Sequence, residues 1–241
     1  YGIINLDKPS GPKSIHVGNK IRYLLEQPKV GHAGTLDPLV TGVLPIGLGK
    51  AARVLPYISK AGKVYEGRMH LHGDVTEKQL EDAIKKFTGK IMQLPPRVSA
   101  VARRLREREI YWFTLLKFER HEVWFEVGCE AGTYIRKLCH DMGEYLKVGG
   151  HMAELRRLQA GPFKIADSVT LETVKENYDK YLQTKKDVYL RNIIQPPEAG
   201  VEHLPKVYID PGVIDRIKHG SPVFVPGIIA YTSDLQEGKE T

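Results

Sequence analysis

Glu122-Val123-Trp124-Phe125-Glu126-Val127-Gly128-Cys129 alternates without a break, with Val123, Phe125, Val127 and Cys129 on one side and Glu122, Trp124 and Glu126 on the other. Successive side chains of a β-strand point to opposite faces, so this period of two predicts a strand with one face in a core. Residues 64–71 repeat the pattern with Tyr65, Gly67, Met69 and Leu71 on one face, and Ile110 to Phe118 is a further strand. Helical spacing surrounds these runs. Residues 14–25 place Val17, Ile21, Leu24 and Leu25 together. Thr76 and Gln79 form a capping box ahead of the stripe Leu80, Ala83, Ile84 and Phe87, which Gly89 stops. A third helix from near Thr133 turns Ile135, Leu138, Met142 and Tyr145 inward, and a fourth from about Thr170 uses Leu171, Val174, Tyr178 and Leu182. This mixture predicts an α+β fold, a mixed and largely antiparallel sheet with flanking helices.

From Ile194 the texture changes. Pro196, Pro197 and Pro205 punctuate a linker, followed by a short helix over Val213 to Lys218 and the strand-like Pro222-Val223-Phe224-Val225. The expected organisation is one large domain over residues 1–204 and a small β-rich domain over 205–241, the latter too short to be complete. The chain has 241 residues, 41% of them hydrophobic and 27% charged, which excludes a disordered polymer. Thirty-six Lys and Arg against 29 Asp and Glu leave a charge of +7, which favours a polyanionic partner, nucleic acid or an acidic membrane surface. Cys129 and Cys139 form neither a CxxC pair nor a disulfide framework and read as small buried hydrophobes in a reducing compartment. The longest charge-free runs, 38–49 and 219–233, are broken by Gly and Pro and too short to span a bilayer, so no membrane partner is expected.

Residues 31–49 carry Gly31, Gly34, Gly42, Gly47 and Gly49. A phosphate-binding P-loop fails here, because Leu44 stands where Gly is needed and Ala51 follows Lys50. Asp37 stands out instead. Pro38 pushes it out of the helical region, and a carboxylate on such a turn serves either as nucleophile or base, or as an Asx-type turn that ties its own backbone. His70, His72 and Asp74 alternate along a strand, but no Cys or carboxylate cluster joins them with zinc-like spacing, so no metal is expected and a metal-dependent hydrolase is the weakest reading. Arg97, Arg103, Arg104, Arg106 and Arg108 follow Pro95-Pro96 as a basic stretch, suited to phosphate contact or to plain solvation.

Gly31-His32-Ala33-Gly34-Thr35-Leu36-Asp37-Pro38, with Thr41-Gly42-Val43-Leu44-Pro45, resembles the catalytic motif of the TruB-type pseudouridine synthases. Ile4-Asn5-Leu6-Asp7-Lys8-Pro9-Ser10-Gly11 is similar to their N-terminal motif. Glu130-Ala131-Gly132-Thr133-Tyr134-Ile135-Arg136 and Gly149-Gly150-His151-Met152-Ala153-Glu154-Leu155-Arg156-Arg157 resemble most the dyskerin-like branch, the catalytic subunits of H/ACA guide-RNA particles, in their archaeal form. The likeness runs from Gly2 to about Gly227. It implies the pseudouridine synthase fold and a role for each matched residue. Asp37 is the catalytic aspartate, Arg136 the arginine paired with it, Tyr65 the aromatic stacked on the flipped uracil, and Leu155 the apolar residue closing over the base. His32 helps displace the target nucleotide, while Lys8 and Pro9 support the pocket. An arginine favours the charged form of a carboxylate it pairs with, and an aromatic face with an apolar lid recovers part of the cost of unstacking a base. Isomerising uridine breaks N1–C1′ and forms C5–C1′ without moving electrons in or out, so no cofactor is expected.

The same resemblance makes the basic stretch a thumb loop, with Ala102 where relatives carry a basic residue and Lys13 where they carry Ser or Thr. His219-Gly220-Ser221-Pro222-Val223-Phe224-Val225-Pro226-Gly227 resembles the start of a PUA domain. The partners it implies are an H/ACA guide RNA, target rRNA, two small H/ACA accessory proteins and a kink-turn-binding protein. The compartment would be cytoplasmic for an archaeal-type protein and nucleolar for a eukaryotic one. A stand-alone tRNA pseudouridine synthase and a non-catalytic RNA-binding scaffold are the alternatives.

Overall fold

The computed structural model describes residues 1–95 and 104–238, so Arg97, Ala102 and Arg103 of the expected thumb loop lie outside the described residues. The strands of the first compact unit, Tyr1–Val201, are β1 Gly2–Lys8, β2 Val30–His32, β3 Thr41–Leu48, β4 Lys63–Leu71, β5 Gly89–Gln93, β6 Arg106–Glu119, β7 Glu122–Cys129, β8 Gly150–Ala160 and β9 Phe163–Lys164. Its helices are α1 Ser14–Leu24, α2 Leu55–Lys60, α3 Glu77–Lys86, α4 Ile135–Tyr145, α5 Leu171–Thr184 and α6 Val188–Arg191.

The period of two does what it predicts. Val123, Phe125 and Val127 are fully buried while Glu122, Trp124 and Glu126 are half-exposed, and β4 buries Gly67, Met69 and Leu71 on the same side. Each such Val, Leu or Phe contributes about 1.5–3 kcal/mol by leaving water. The sheet order is β1-β3-β8-β4-β7-β6-β5, with β2 on β3 and β9 on β8. Neighbours are antiparallel except β3 and β8, which run parallel through Thr41↔Arg156 and Gly42↔Arg157. Two apolar masses flank this junction. Met69, Phe125, Leu80 and Leu138 tie β4 and β7 to α3 and α4, and Leu6, Leu44, Ile21 and Val174 tie β1 and β3 to α1 and α5. The capping box is present at α3: Gln79 N–H donates to Thr76 Oγ1 and Thr76 N–H donates to Gln79 Oε1.

Several expectations are corrected. Tyr145 does not turn inward. It is 49% exposed and meets Phe87 edge-on at 5.9 Å between ring centres. Leu182 is exposed too: α5 meets the core through Leu171, Val174 and the half-buried Tyr178, and its last turn lies beyond that contact. In the second compact unit, from Glu202 onward, β10 Val207–Ile209 pairs with β11 Ile228–Tyr231, and α7 Ile214–Lys218 lies between them in sequence. The strand therefore falls after residues 222–225, not on them. Val225–Gly227 is a 3₁₀ turn, and Pro222 and Pro226 have no N–H to give to a ladder.

Candidate active site

Asp37 lies in the loop joining β2 to β3. Val40 N–H donates to the Asp37 carbonyl at 3.1 Å and closes a β-turn, with Pro38 at the second position, where its fixed φ fits. Lys8, fully buried at the end of β1, donates from Nζ to the carbonyls of Pro9 (2.8 Å), Pro38 (2.9 Å) and Val40 (2.9 Å). Ser14 Oγ donates to the Leu36 carbonyl and accepts from the Leu36 N–H, each at 2.9 Å. The turn is thus fixed from beneath on both sides of the carboxylate. Burial pushes the Lys8 ammonium below its ordinary range, partly offset by the charge of Asp37. Lys8 acts on the loop backbone and is not among the residues lining the pocket described below.

Arg136, the second residue of α4, donates from Nη2 to Asp37 Oδ2 across 99 residues of sequence. The carboxylate is therefore engaged by a distant cation and not by an Asx turn. The start of α4 is held by Gln93 of β5, which accepts from the Tyr134 N–H at 3.0 Å and donates to the Tyr134 carbonyl at 3.2 Å. That bracket supplies what a capping side chain gives elsewhere.

Tyr65 on β4 stands opposite Val127 of β7 and Arg157 of β8, and Leu155 stands opposite Gly67. A Cβ on Gly67 would meet Leu155 Cδ1 at 3.0 Å and Phe125 Cζ at 2.7 Å, so glycine makes room for both. Asp37, Tyr65, Arg136 and Leu155 line one pocket of about 490 Å³ together with Lys63 and Arg157. Leu155 is therefore a strand residue at a pocket wall. Burial pushes the Tyr65 phenol above its ordinary value, against the nearby Arg157 guanidinium. Lys63 is buried, lowered to about 8 by burial first and Arg157 second, and donates to the carbonyls of Ser59 and Ala61, each at 2.5 Å.

His32 is not brought into this pocket. It ends β2 with Nδ1 buried and unpaired within the described residues, and burial together with the nearby Arg157 pushes its pKa below the ordinary imidazole value. The alternating trio on and after β4 is dispersed among other partners. His70 Nδ1 meets Glu122 at 2.5 Å, His72 Nε2 meets His151 Nδ1 at 2.7 Å, and Asp74 meets His121 at 2.9 Å. Among the described residues no three His, Cys, Asp or Glu are grouped to hold a metal ion. Lys63, Arg157, Ser14 and Gln93 were not singled out from sequence. Lys63 had a signal, since it precedes Tyr65 by two and so shares its face.

The pocket offers a carboxylate paired with a guanidinium, an aromatic ring and an apolar wall, which suits a neutral planar base drawn out of its stack. Residues 22–76 and 72–135 match the model of the TruB family pseudouridylate synthase N-terminal domain, and residues 136–202 match the tRNA pseudouridylate synthase B C-terminal domain. A probable tRNA pseudouridine synthase B of Methanopyrus kandleri is 48% identical over 98% of this chain and 70% of its own length. A solved Cbf5-Nop10-Gar1 complex contains a chain 48% identical, with a TM-score of 0.90 over 95% of this chain and 70% of that one. An H/ACA RNP bound to a substrate RNA containing 2′-deoxyuridine holds another, 46% identical, with a TM-score of 0.86 over 95% of this chain and 69% of that one. The protein belongs to the TruB family of pseudouridine synthases, isomerases that convert uridine to pseudouridine.

Proposed function

We propose that this chain is the catalytic subunit of an H/ACA ribonucleoprotein, isomerising uridines of ribosomal RNA chosen by a guide RNA, with Asp37 as the nucleophile. The observation that carries the assignment is the meeting of Asp37, Tyr65, Arg136 and Leu155, drawn from four separate segments, in one pocket. The uridine leaves its stack and lays its base against Tyr65 under Leu155. Asp37 then either attacks C1′ as N1–C1′ breaks, its ester being broken again when C5 takes its place, or takes a proton from the sugar as N1–C1′ breaks and returns it once C5–C1′ has formed. The base turns, C5–C1′ forms, and the C5 proton is exchanged for one on N1, so the product is an isomer of the substrate. Arg136 holds the carboxylate at the mouth of the site.

The guided reading is supported by the likeness to chains solved with Nop10 and Gar1 and with substrate RNA. Side chains cannot read the deep groove of A-form RNA, so leaving sequence choice to a guide is physically reasonable. The second compact unit would be the start of a PUA domain that grips the guide. The name carried by the relative from Methanopyrus kandleri favours a second reading, a synthase acting alone on tRNA. Incubating the chain with rRNA targets and with tRNA, with and without guide RNA and accessory proteins, separates the two. Product on rRNA only with guide supports the first, and product on tRNA without guide supports the second. Asp37→Asn is expected to abolish product on either RNA while leaving guide affinity nearly unchanged. Retained turnover would refute the nucleophile assignment, and a wild-type chain that binds RNA but never forms pseudouridine would leave only the scaffold reading.

A further inference from the structure

Arg157 is among the largest fully buried side chains of the molecule, 1% exposed. Burying a guanidinium is costly unless its hydrogen bonds are met, so its partners indicate what it is for. Its Nε donates to the Val43 carbonyl at 2.7 Å and its Nη2 to the Gly34 carbonyl at 2.9 Å. Gly34 and Val43 lie on either side of Asp37, where the loop leaves β2 and where it enters β3. One rigid fork therefore joins the two ends of the segment that presents the carboxylate. The backbone is shaped around it. Gly34 has φ +75, and a Cβ there would stand 3.2 Å from Nη1. Gly42, at φ +103, would drive a Cβ to 2.2 Å from the Arg157 carbonyl. The guanidinium also faces the phenol of Tyr65, its partner across β4 and β8.

We infer that Arg157 is a positioning residue for the isomerisation, fixing the Asp37 loop against Tyr65 through the carbonyls of Gly34 and Val43. It acts through these groups and contacts no reacting atom. The inference rests on the reading of Asp37 and Tyr65 given above. Lysine carries the same charge but lacks the fork, so it reaches one carbonyl and not both.

The test uses the full chain with its RNA partners, comparing wild type, Arg157→Lys, Arg157→Met and the core variant Leu80→Ala as a stability control. Single-turnover rate, RNA dissociation constant and amide hydrogen exchange are measured for each. Loss of the fork is expected to slow Arg157→Met by about 100-fold, the penalty typical of a small misplacement of a catalytic group, with RNA affinity within about threefold of wild type. Arg157→Lys should fall between. Exchange should rise at the amides of Ala33, Leu36 and Val40, which are bonded in the wild type to the Pro45 carbonyl, Ser14 Oγ and the Asp37 carbonyl, and should not rise there in Leu80→Ala. Wild-type rates in Arg157→Lys, or a slowing matched by Leu80→Ala, would overturn the inference. Should Asp37→Asn remain active, the reading of the pocket fails by itself, while the loop exchange still reports what Arg157 holds. If Arg157→Met does not fold, the rate and exchange of Arg157→Lys decide.

Discussion

Lys8, Lys63 and Arg157 are three buried cations around the candidate site, and each gives its hydrogen bonds to backbone carbonyls. Lys63 shows the cost. Its folded-state value is about 8 against an ordinary 10.5. Below about 8 both folded and unfolded chains hold the proton and the full desolvation cost stands. Between about 8 and 10.5 the unfolded chain holds a proton that the fold has released, so this group's contribution to stability rises with pH. Urea unfolding of wild type and Lys63→Met at about pH 7.5 and pH 10 should show the wild type gaining on the variant, by about 2 kcal/mol. A difference that stays flat or shrinks would remove Lys63 from this account. The sequence exposes some of these roles and hides others. Alternation places Tyr65 on one face of a strand and Pro38 marks Asp37 as a turn residue, but the roles of both come from the family resemblance and not from spacing. Arg156 and Arg157 look equivalent as text, yet one pairs with Asp7 at 2.6 Å and the other is sealed inside. Only the strand register separates them, and β8 shifts register twice opposite β4, which blurs any count along it.

Elements decide how the loop is held. β3 reads Thr41 to Leu48 as an apolar run without alternation, because both of its faces are covered, so its period gives no strand signal. Pro45 argues further against a strand. It is tolerated where one flank of β3 changes partner, from β8 at Thr41 and Gly42 to β2 at Ile46. The close approach of β3 to β8 then depends on Gly42. Gly42→Ala adds a Cβ 2.2 Å from a backbone carbonyl at φ +103, and should cost about 3 kcal/mol or more in chemical denaturation. Pseudouridine formation should fall with it, since Asp37 lies upstream on the same segment. A variant as stable as wild type would show that the two strands can separate freely. The capping box of α3 is the contrasting case, fully legible and remote from the pocket. Thr76→Ala should cost about 1 kcal/mol and leave the turnover rate unchanged. A lowered rate in that variant would couple α3 to the site in a way its contacts do not suggest.

Across the whole molecule the charge of +7 sets how RNA is met, and the buried cations cannot be the groups that meet it. Phosphates are contacted by exposed Lys and Arg, whose partners in the free chain are counterions released on binding. On the proposed reading of the site, the pocket groups act over a few ångströms on a base already drawn in. Affinity and chemistry should therefore separate under salt. Between about 50 and 200 mM monovalent salt, RNA affinity is expected to weaken tenfold or more, as it does for proteins making several phosphate contacts. The slope of log affinity against log salt should be the same for wild type and Asp37→Asn, because removing one carboxylate charge beside Arg136 changes the local pair but not the set of phosphate contacts. Filter binding at four salt concentrations with both proteins measures this. An affinity indifferent to salt would place recognition in base contacts or in the guide, and a slope that differs by more than about one between the two proteins would mean that Asp37 faces the RNA backbone instead of the ribose.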